Sequence, residues 1–274
     1  MIETEADFNM RVQSCIAPIY FFEENGGQLK DTERFTTNGT LTLFQKDVNI
    51  FGITNYHVYK RGYLDRKQNN ENVICQIGHK LRINLEQRIF YEDEKQDLII
   101  FFLFENELKD IAKNVPKSGF RRINIDIERL LKTQKKEDVN TWATHVVGFP
   151  GVYKTTERIS SNRIEETFDA FWYPSFVQHR FSCNPNEEQI TLHFFETRKA
   201  IQDGRLQMTE GTLSEELIDF GGISGAPVFA RCFPHQDDLT LLGIVYEGHS
   251  SAEGFLPEVI YAKPMSLIKN ILQG

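Results

Sequence analysis

The stretch "GGISGAPVF", residues 221–229, sets three glycines and a proline around a single serine, Ser224. Glycine adopts backbone angles that other residues avoid, and proline fixes its own φ, so this cluster predicts a tight turn. The apolar residues "PVF" that follow predict the start of a β-strand. The sequence therefore presents Ser224 in a tight loop that leads directly into a strand.

A serine hydroxyl is a weak nucleophile near neutral pH and needs a histidine to take its proton and a carboxylate to orient that histidine. The best-placed histidine is His57 in "ITNYHVYK", where an apolar strand is expected to end and a polar loop to begin. The best-placed acid is Asp97 in "EKQDLIIFFLF", which opens a very apolar strand. Asp93 and Glu94 are rivals, but they lie in the charged run "YEDEKQ" and are expected to be solvated.

Each of these residues also has a plainer explanation. A histidine at a strand end is commonly structural, an aspartate at a strand start is commonly a turn residue, and a glycine-rich serine loop is commonly only a turn. Metal binding is disfavoured, because "CFPH" (232–235) and "HRFSC" (179–183) lack a second motif at ligand spacing. An esterase elbow is also disfavoured, because the run is Gly-Ile-Ser-Gly-Ala and neither histidine after Ser224 has a supporting acid in a strand–helix setting.

The pattern of apolar runs predicts an all-β protein with a helical middle. Residues 105–140, approximately, carry apolar residues at helical spacing among charges and predict a connector. The tail "KPMSLIKNILQG" (263–274) predicts a helix with Pro264 near its first turn and an apolar face of Leu267, Ile268, Ile271 and Leu272. Strands are predicted at 15–22, 39–45, 50–58, 72–78, 81–90, 97–104, 176–183, 189–198, 226–232 and 239–248.

Composition and charge narrow the classes of partner. The 274 residues carry a net charge of −8 without a strongly basic block, which argues against nucleic acid. The longest apolar run, "LIIFFLF" (98–104), is too short to span a membrane, and the N-terminus lacks a secretory-signal pattern, so we expect a soluble cytoplasmic protein. The four cysteines are scattered, and we expect buried, reduced thiols at Cys15, Cys75, Cys183 and Cys232.

Three segments, in the order His, Asp, Ser, carry a family resemblance. "TNYHV" (54–58), "DLIIFFL" (97–103) and "GISGAPV" (222–228) resemble the signature segments of the trypsin-like, chymotrypsin-fold serine peptidases, most closely the intracellular and HtrA-like bacterial members. Three further segments resemble parts of the same family. The strands and turn that lead to the histidine are resembled by "NGTLTLFQKDVNIFGITNYHV" (38–58), and the first strand of the second barrel is resembled by "THVVGFPG" (144–151). The strand that lines the substrate cleft is resembled by "LLGIVYEG" (241–248).

The resemblance implies two antiparallel six-stranded β-barrels with a helical connector and a C-terminal helix. The N-terminal barrel would span 1–110 and carry His57 and Asp97, the connector 111–142, and the C-terminal barrel 143–274 with Ser224. Together they would form one peptidase unit that cleaves protein or peptide substrates without a cofactor.

The resemblance also implies a role for each site residue. Ser224 would attack the scissile carbonyl, His57 would act as general base and then general acid, and Asp97 would orient His57. The backbone N–H groups of Gly222 and Ser224 would form the oxyanion hole. Matching by distance from Ser224 places Ile218 at the position that often sets the preferred side chain, with Asp219 beside it. Ile218 favours an apolar residue before the cut, whereas an inward-facing Asp219 would favour Lys or Arg, and we expect the apolar preference.

Tyr246 and Gly248 complete the candidate substrate pocket, on the strand that follows the serine. Segment 155–175 is either an insertion near the cleft rim or a decorated surface loop.

Several residues depart from the family pattern. Ile223 stands where zymogen-activated members carry an aspartate that pairs with a freed N-terminus, so that activation mechanism is excluded. We therefore expect the loop to be ordered in another way, with activity gated by a regulatory protein partner or by oligomer formation. Ala226 stands where glycine is commoner, and Tyr56 where a small residue usually precedes the histidine. The alternative function is a catalytically silent binding or regulatory module of the same fold, with a collapsed oxyanion loop.

Overall fold

The protein is described by a computed structural model in which most regular structure is β-sheet. The structure describes residues 15–25, 28–29, 37–78, 80–111, 143–149, 154–160, 163–168, 171–175, 189–193, 222–231, 239–250 and 257–273. The predicted strand at 176–183, most of the predicted connector and the end of the predicted strand at 189–198 lie outside these residues.

The first sheet contains eight strands, paired antiparallel throughout. Their order is β6-β5-β1-β3-β4-β8-β7, with the short β2 paired to β1. Strands β4 and β8 are neighbours, and this pairing brings the predicted histidine and aspartate segments together. The bounds are β1 Ile16–Asn25, β2 Gln28–Leu29, β3 Thr37–Lys46, β4 Asn49–Thr54, β5 Val73–Ile77, β6 Leu81–Ile83, β7 Ile89–Asp93 and β8 Leu98–Leu103.

Two of the predicted strands in this sheet are shorter than expected. The strand predicted at 50–58 ends at Thr54, because Asn55 is the N-cap of a helical segment that begins at Tyr56. The strand predicted at 81–90 is interrupted by a 3-10 turn, Leu85–Gln87, where the Asn84 side chain accepts a hydrogen bond from the Glu86 N–H at 3.2 Å. Short polar side chains of this type compete with sheet pairing for backbone groups.

The helical segment after β4 comprises α1 (Tyr56–Tyr59), a π-helical turn (Lys60–Leu64) and α2 (Asp65–Gln68). After β8 come a 3-10 turn (Glu105–Glu107) and α3 (Leu108–Ile111). This is the described part of the helical connector predicted at 105–140. No helix of the described residues is long and apolar enough to cross a membrane.

The second sheet contains six antiparallel strands in the order β12-β9-β14-β15-β16-β13. A separate hairpin, β10–β11, accounts for most of segment 155–175, but the end of that segment is edge strand β12. The bounds are β9 Ala143–Gly148, β10 Lys154–Ser160, β11 Arg163–Phe168, β12 Phe171–Ser175, β13 Ile190–His193, β14 Pro227–Arg231, β15 Leu239–Ser250 and β16 Pro257–Pro264.

The C-terminal helix α4 (Met265–Gln273) packs its apolar face into the core. Pro264 lies next to the first helical turn, as predicted, and it also ends β16, where it pairs with Gly243. Ile268 and Leu272 are buried as predicted, whereas Leu267 and Ile271 are half-buried. The helix shares a core cluster with the two sheets, and that cluster includes Phe44, Phe51, Ile53 and Ile100 of the first sheet and Val147, Phe229, Leu241 and Ile244 of the second.

The predicted all-β class is confirmed, but two six-stranded barrels are not. The described strands form an eight-stranded sheet, a six-stranded sheet and a separate hairpin. The eight-stranded count arises because β2 pairs with the end of β1 and the predicted strand at 81–90 divides into β6 and β7.

Candidate active site

The pairing of β4 with β8 positions His57 and Asp97. Thr54, the last residue of β4, lies opposite Ile99 of β8, so the residues just beyond these strand ends are adjacent. His57 lies in the first turn of α1, and Asp97 closes a reverse turn in which its N–H donates to the Glu94 carbonyl at 3.2 Å. Asp97 therefore precedes β8 and does not open it, and His57 lies on a helical turn where a polar loop was predicted.

His57 engages both carboxylate oxygens of Asp97. Its backbone N–H donates to Oδ1 at 2.8 Å, and its ring Nδ1 lies 2.8 Å from Oδ2. Asn55 adds a third constraint, because its Nδ2 donates to the Asp97 carbonyl at 3.0 Å. Asp97 has a left-handed backbone, with φ +51°, which aspartate tolerates better than most residues. These contacts fix the carboxylate against the edge of the imidazole ring.

The other ring nitrogen of His57 faces the predicted nucleophile. Nε2 lies 3.1 Å from the Ser224 Oγ. A carboxylate only accepts hydrogen bonds, so the proton of the neutral ring resides on Nδ1 and leaves Nε2 free to accept from the serine hydroxyl. The side chains of His57 and Asp97 are 32% and 22% exposed, so the pair is reachable from solvent. The structure thus brings the three predicted residues into one hydrogen-bonded chain.

The loop that carries Ser224 is held through its carbonyl groups. Two threonines of β3, in the first sheet, supply most of the donors, although the loop precedes β14 of the second sheet. Every carbonyl from residue 222 to residue 225 accepts a hydrogen bond at 2.8 Å: Gly222 from Thr40 Oγ1, Ile223 from the Ala226 N–H, Ser224 from the Thr40 N–H and Gly225 from Thr42 Oγ1.

The N–H groups of the same loop are disposed differently. The Gly225 N–H donates to the Val245 carbonyl of β15 at 2.8 Å. Within the described part of the chain, the N–H groups of Gly222, Ile223 and Ser224 donate to no partner. Gly222 has φ +103°, a conformation that glycine adopts readily. The loop therefore combines satisfied carbonyls with a cluster of unused donors next to the serine hydroxyl.

Gly225 is required by space as well as by backbone angle. Its φ is +90°, and a Cβ added there would lie 2.0 Å from the Thr40 carbonyl oxygen and 2.5 Å from Thr54 Oγ1. The Thr54 hydroxyl also donates to that carbonyl at 2.9 Å. The Ser224 loop and the backbone of β3 are thus in direct contact at a point where no side chain fits.

The rival acids do not contact His57. Asp93 accepts hydrogen bonds from the N–H groups of Lys95 and Gln96, at 2.8 and 3.0 Å, and from the Tyr91 hydroxyl at 3.1 Å. The hydrogen bond from Gln96, together with those from Tyr91 and Lys95, lowers the pKa of Asp93 against an opposing effect of burial. Glu94 is exposed and pairs with Lys60 at 2.5 Å.

The pocket candidates are described only in part. Tyr246 follows Val245 on β15, and its hydroxyl donates to Gln189 Oε1 at 2.6 Å. The Lys263 ammonium lies 4.5 Å from the centroid of the Tyr246 ring, and burial, followed by the nearby Glu247 carboxylate, raises the pKa of Tyr246. Gly248 is half-buried on the same strand, and Ile218 and Asp219 lie outside the described residues.

The residues that depart from the pattern of the trypsin-like peptidases are packed into the structure. Ile223 is almost completely buried, and Ala226 is buried beside it. The Tyr56 ring packs edge-on against Tyr59, with 6.1 Å between centroids. Its bulk is therefore accommodated within the helical segment after β4.

The described thiols and acidic residues form no cluster that could hold a metal ion. Cys15 and Cys75 are buried and form no disulfide, and burial raises the pKa of the Cys75 thiol. Cys183 and Cys232 lie outside the described residues. In the ranges that the structure covers, no group of three or more His, Cys, Asp or Glu side chains could hold a metal ion.

Sequence reasoning missed the residues that support the site. Thr40, Thr42, Thr54 and Asn55 are all completely buried, and each donates a side-chain hydrogen bond to a backbone carbonyl of the site or of β3. Alternation of threonines in "GTLTL" was the available signal, because residues 40 and 42 of a strand face the same side.

Comparisons with known proteins give fold neighbours only. No protein-family model matches the chain, and no curated protein matches it. Its neighbours among solved structures are HtrA-type and other trypsin-like serine proteases at low sequence identity.

Three of these neighbours illustrate the range of sequence identity, TM-score and coverage. The HtrA-type protease AlgW with tripeptide is 11% identical, with a TM-score of 0.48 over 99% of this chain and 63% of that one, so this chain spans less than two thirds of its length. A serine endoprotease from Yersinia pestis is 15% identical, with a TM-score of 0.44 over 99% of this chain and 67% of that one. A human pathogenic astrovirus serine protease is 12% identical, with a TM-score of 0.40 over 92% of this chain and 89% of that one.

Proposed function

We propose that this protein is a serine endopeptidase that hydrolyses peptide bonds through a Ser224–His57–Asp97 triad and an acyl-enzyme intermediate. The observation that carries the proposal is the hydrogen-bonded chain from Asp97 Oδ2 through the two ring nitrogens of His57 to Ser224 Oγ, with distances of 2.8 and 3.1 Å. A nucleophile within hydrogen-bond reach of a base, which is itself oriented by a third group, is the arrangement that activates a serine hydroxyl.

The first half of the reaction uses these groups in sequence. His57 Nε2 takes the hydroxyl proton as Ser224 Oγ bonds to the scissile carbonyl carbon, and Asp97 stabilises the imidazolium through Nδ1. His57 then gives that proton to the leaving amine as the C–N bond breaks, which leaves an ester on Ser224. In the second half, a water molecule attacks the ester carbonyl carbon as His57 takes its proton. The bond from that carbon to Ser224 Oγ then breaks, His57 returns the proton to Oγ, and the carboxylic acid product leaves.

The unused donors of the loop support an oxyanion hole at Gly222 and Ser224. A tetrahedral intermediate places a negative charge on the former carbonyl oxygen, and fixed backbone N–H groups stabilise that charge. In this loop the carbonyls are bonded elsewhere, whereas the N–H groups of these residues donate to nothing within the described residues. The developing oxyanion would therefore meet donors without competing acceptors nearby.

Gating by a regulatory protein partner or by oligomer formation is part of the proposal. Ile223 cannot form the ion pair that orders this loop in zymogen-activated peptidases. The loop therefore has to be ordered by another interaction. The protein is accordingly proposed to resemble intracellular, HtrA-like members, with an apolar preference before the cut. A faster reaction of Ser224 with a fluorophosphonate in cell extract than in the purified protein would support gating, and equal rates would contradict it.

The test of the function compares wild-type protein with Ser224→Ala and His57→Ala, using fluorophosphonate labelling and casein cleavage, with thermal melts to establish folding. Ser266→Ala, on α4, is the matched control because it removes a serine hydroxyl outside the site. We expect labelling and cleavage by wild type and the control, and loss of both in the two site variants. Full labelling of either site variant would refute the triad. A folded wild-type protein that neither labels nor cleaves would favour the binding module.

A further inference from the structure

We propose that Thr40 is a positioning residue that holds the proposed oxyanion loop in its reactive conformation. This inference rests on the proposed function, because it assigns to Thr40 the task of keeping the Gly222 carbonyl turned away from the site. Thr40 belongs to β3 of the first sheet, and it lies 182 residues from Gly222 in sequence. The nucleophile loop would thus take its geometry from a strand on the other side of the site.

Thr40 makes four hydrogen bonds around the loop, and all of them are buried. Its hydroxyl donates to the Gly222 carbonyl at 2.8 Å, and its backbone N–H donates to the Ser224 carbonyl at 2.8 Å. The Phe149 N–H, just beyond β9, donates to the same hydroxyl at 2.9 Å. The Thr54 hydroxyl donates to the Thr40 carbonyl at 2.9 Å. One residue therefore fixes the peptide groups on both sides of the Ile223–Ser224 peptide.

The direction of the hydroxyl proton follows from these contacts. Because the Phe149 N–H occupies one acceptor position of Thr40 Oγ1, the hydroxyl hydrogen is left to point at the Gly222 carbonyl. Threonine is also branched at Cβ, which restricts rotation about χ1 and keeps the hydroxyl in place. The side chain of Thr40 thus acts as a directed donor to one carbonyl.

That carbonyl controls the conformation of the proposed oxyanion hole. Gly222 can adopt many backbone angles, and its observed φ of +103° is one of several accessible values. If the Gly222–Ile223 peptide rotated, its carbonyl would leave Thr40 and approach the region that the unused N–H groups occupy. An acceptor there would oppose the charge of a tetrahedral intermediate, so holding the carbonyl on Thr40 favours the reactive state.

Thr42 provides a control within the same strand and loop. Its hydroxyl donates to the Gly225 carbonyl at 2.8 Å, and it is as completely buried as Thr40. Removal of either hydroxyl leaves one loop carbonyl without its donor, whereas removal of the Thr40 hydroxyl also removes the acceptor of the Phe149 N–H, so Thr42→Val controls for the loss of a loop carbonyl's donor. Only the Thr40 hydroxyl contacts the carbonyl of a proposed oxyanion-hole residue.

The experiment compares the full-length variants Thr40→Val, Thr40→Ser and Thr42→Val by fluorophosphonate inactivation, resolved into the maximal rate and the half-saturating concentration. We expect Thr40→Val to lower the maximal rate about tenfold to hundredfold, less than the loss of an oxyanion donor itself. The half-saturating concentration should change less than about threefold, and Thr40→Ser should restore most of the rate because it keeps the donor. Equal losses in Thr40→Val and Thr42→Val, or a loss only in the fraction of reactive molecules, would overturn the inference.

A crystal structure of Thr40→Val gives a readout that does not depend on activity. We expect the Gly222 carbonyl to rotate away from residue 40, and an unchanged carbonyl would overturn the inference. An unreactive but folded wild-type protein would overturn the proposed function instead, and the position of the Gly222 carbonyl in Thr40→Val would still decide the role of Thr40. The two failures are therefore distinguishable.

Discussion

The two halves of the candidate site are supported in different ways. His57 and Asp97 both lie just beyond the paired ends of β4 and β8 in the first sheet, and they are joined by two direct contacts of 2.8 Å. Ser224 lies in a loop of the second sheet, but the donors to the carbonyls of Gly222, Ser224 and Gly225 come from β3 of the first sheet. The proposed base and its orienting acid are thus assembled locally, whereas the loop that carries the proposed nucleophile depends on both sheets.

This difference predicts which substitutions affect only reactivity and which also affect stability. The contact between the His57 and Asp97 side chains lies next to solvent and can be altered with little effect on the core. Those that hold the Ser224 loop pass through fully buried threonines, so changes there affect both the fold and the site. Variants of the His57 and Asp97 side chains should change reactivity with little effect on stability, and variants of the residues that hold the Ser224 loop should change reactivity and stability together.

The largest effect is expected on the His57 side, from Asp97→Asn. The amide keeps the shape of the carboxylate but can bind the wrong ring tautomer, so the rate of fluorophosphonate labelling should fall about 10³- to 10⁴-fold with little change in melting temperature. Asp93→Asn is the matched control, because the Asp93 carboxylate accepts hydrogen bonds from the N–H groups of its own turn and does not contact His57. A loss of rate in Asp93→Asn equal to that in Asp97→Asn would contradict the assignment of the acid.

The next effect is expected on the Ser224 side, from Gly225→Ala. The added Cβ would overlap the Thr40 carbonyl oxygen at 2.0 Å and would require a positive φ, so unfolding free energy should fall by about 3 kcal/mol, with loss of labelling. Gly52→Ala on β4 is the control, since its Cβ would meet only side-chain atoms, at 3.0 Å. Chemical denaturation measures both. A stable, fully reactive Gly225→Ala protein would show that the loop does not depend on its contact with β3.

The smallest effect concerns pH and the helical segment after His57. Burial, followed by the charge of Glu86, raises the pKa of Tyr63 to about 12, above its ordinary value of 10.0. The folded state therefore retains this proton longer than the unfolded chain, and the resulting stabilisation is complete below about pH 10 and is lost as pH rises towards 12. The residues from Gly222 to Ala226 contain no titratable side chain.

Replacing Tyr63 by Phe should accordingly flatten the alkaline decline of the denaturation midpoint between pH 9 and pH 12. Tyr91→Phe, at a residue that is less buried, should flatten it less. If the denaturation midpoints of wild type and Tyr63→Phe depended identically on pH, the alkaline loss of stability could not be assigned to Tyr63, on the His57 side of the site.

The residues of the site and the strands around them could be predicted, because each depends on a local pattern. Alternating and continuous apolar runs indicated β1, β3, β5 and β8, and a serine among glycines indicated the loop before β14. Asp97 could be preferred to Asp93 because it directly precedes the apolar strand. The sequence did not reveal that Asp97 lies in a left-handed turn, since that angle results from its contacts with Asn55 and His57.

The support of the loop could not be predicted, because it depends on contacts between distant segments. A buried threonine in a strand is unremarkable until the acceptor of its hydroxyl is known, and the acceptors of Thr40 and Thr42 lie 182 and 183 residues away. The end of β4 was also misplaced, because "NYHV" is apolar enough to continue a strand whereas Tyr59 and Tyr63 pack as a stacked pair on a helical segment.

The sequence separation of the Thr40 contacts has a consequence for the order of folding. Contacts between neighbouring strands form early, whereas those that close very long loops wait until both segments are structured. A growing or partly folded chain can therefore pair His57 with Asp97, only 40 residues apart, before Ser224 has an ordered loop around it. For a peptidase, this order would delay the appearance of a competent nucleophile until the chain is folded and its own backbone is protected from cleavage.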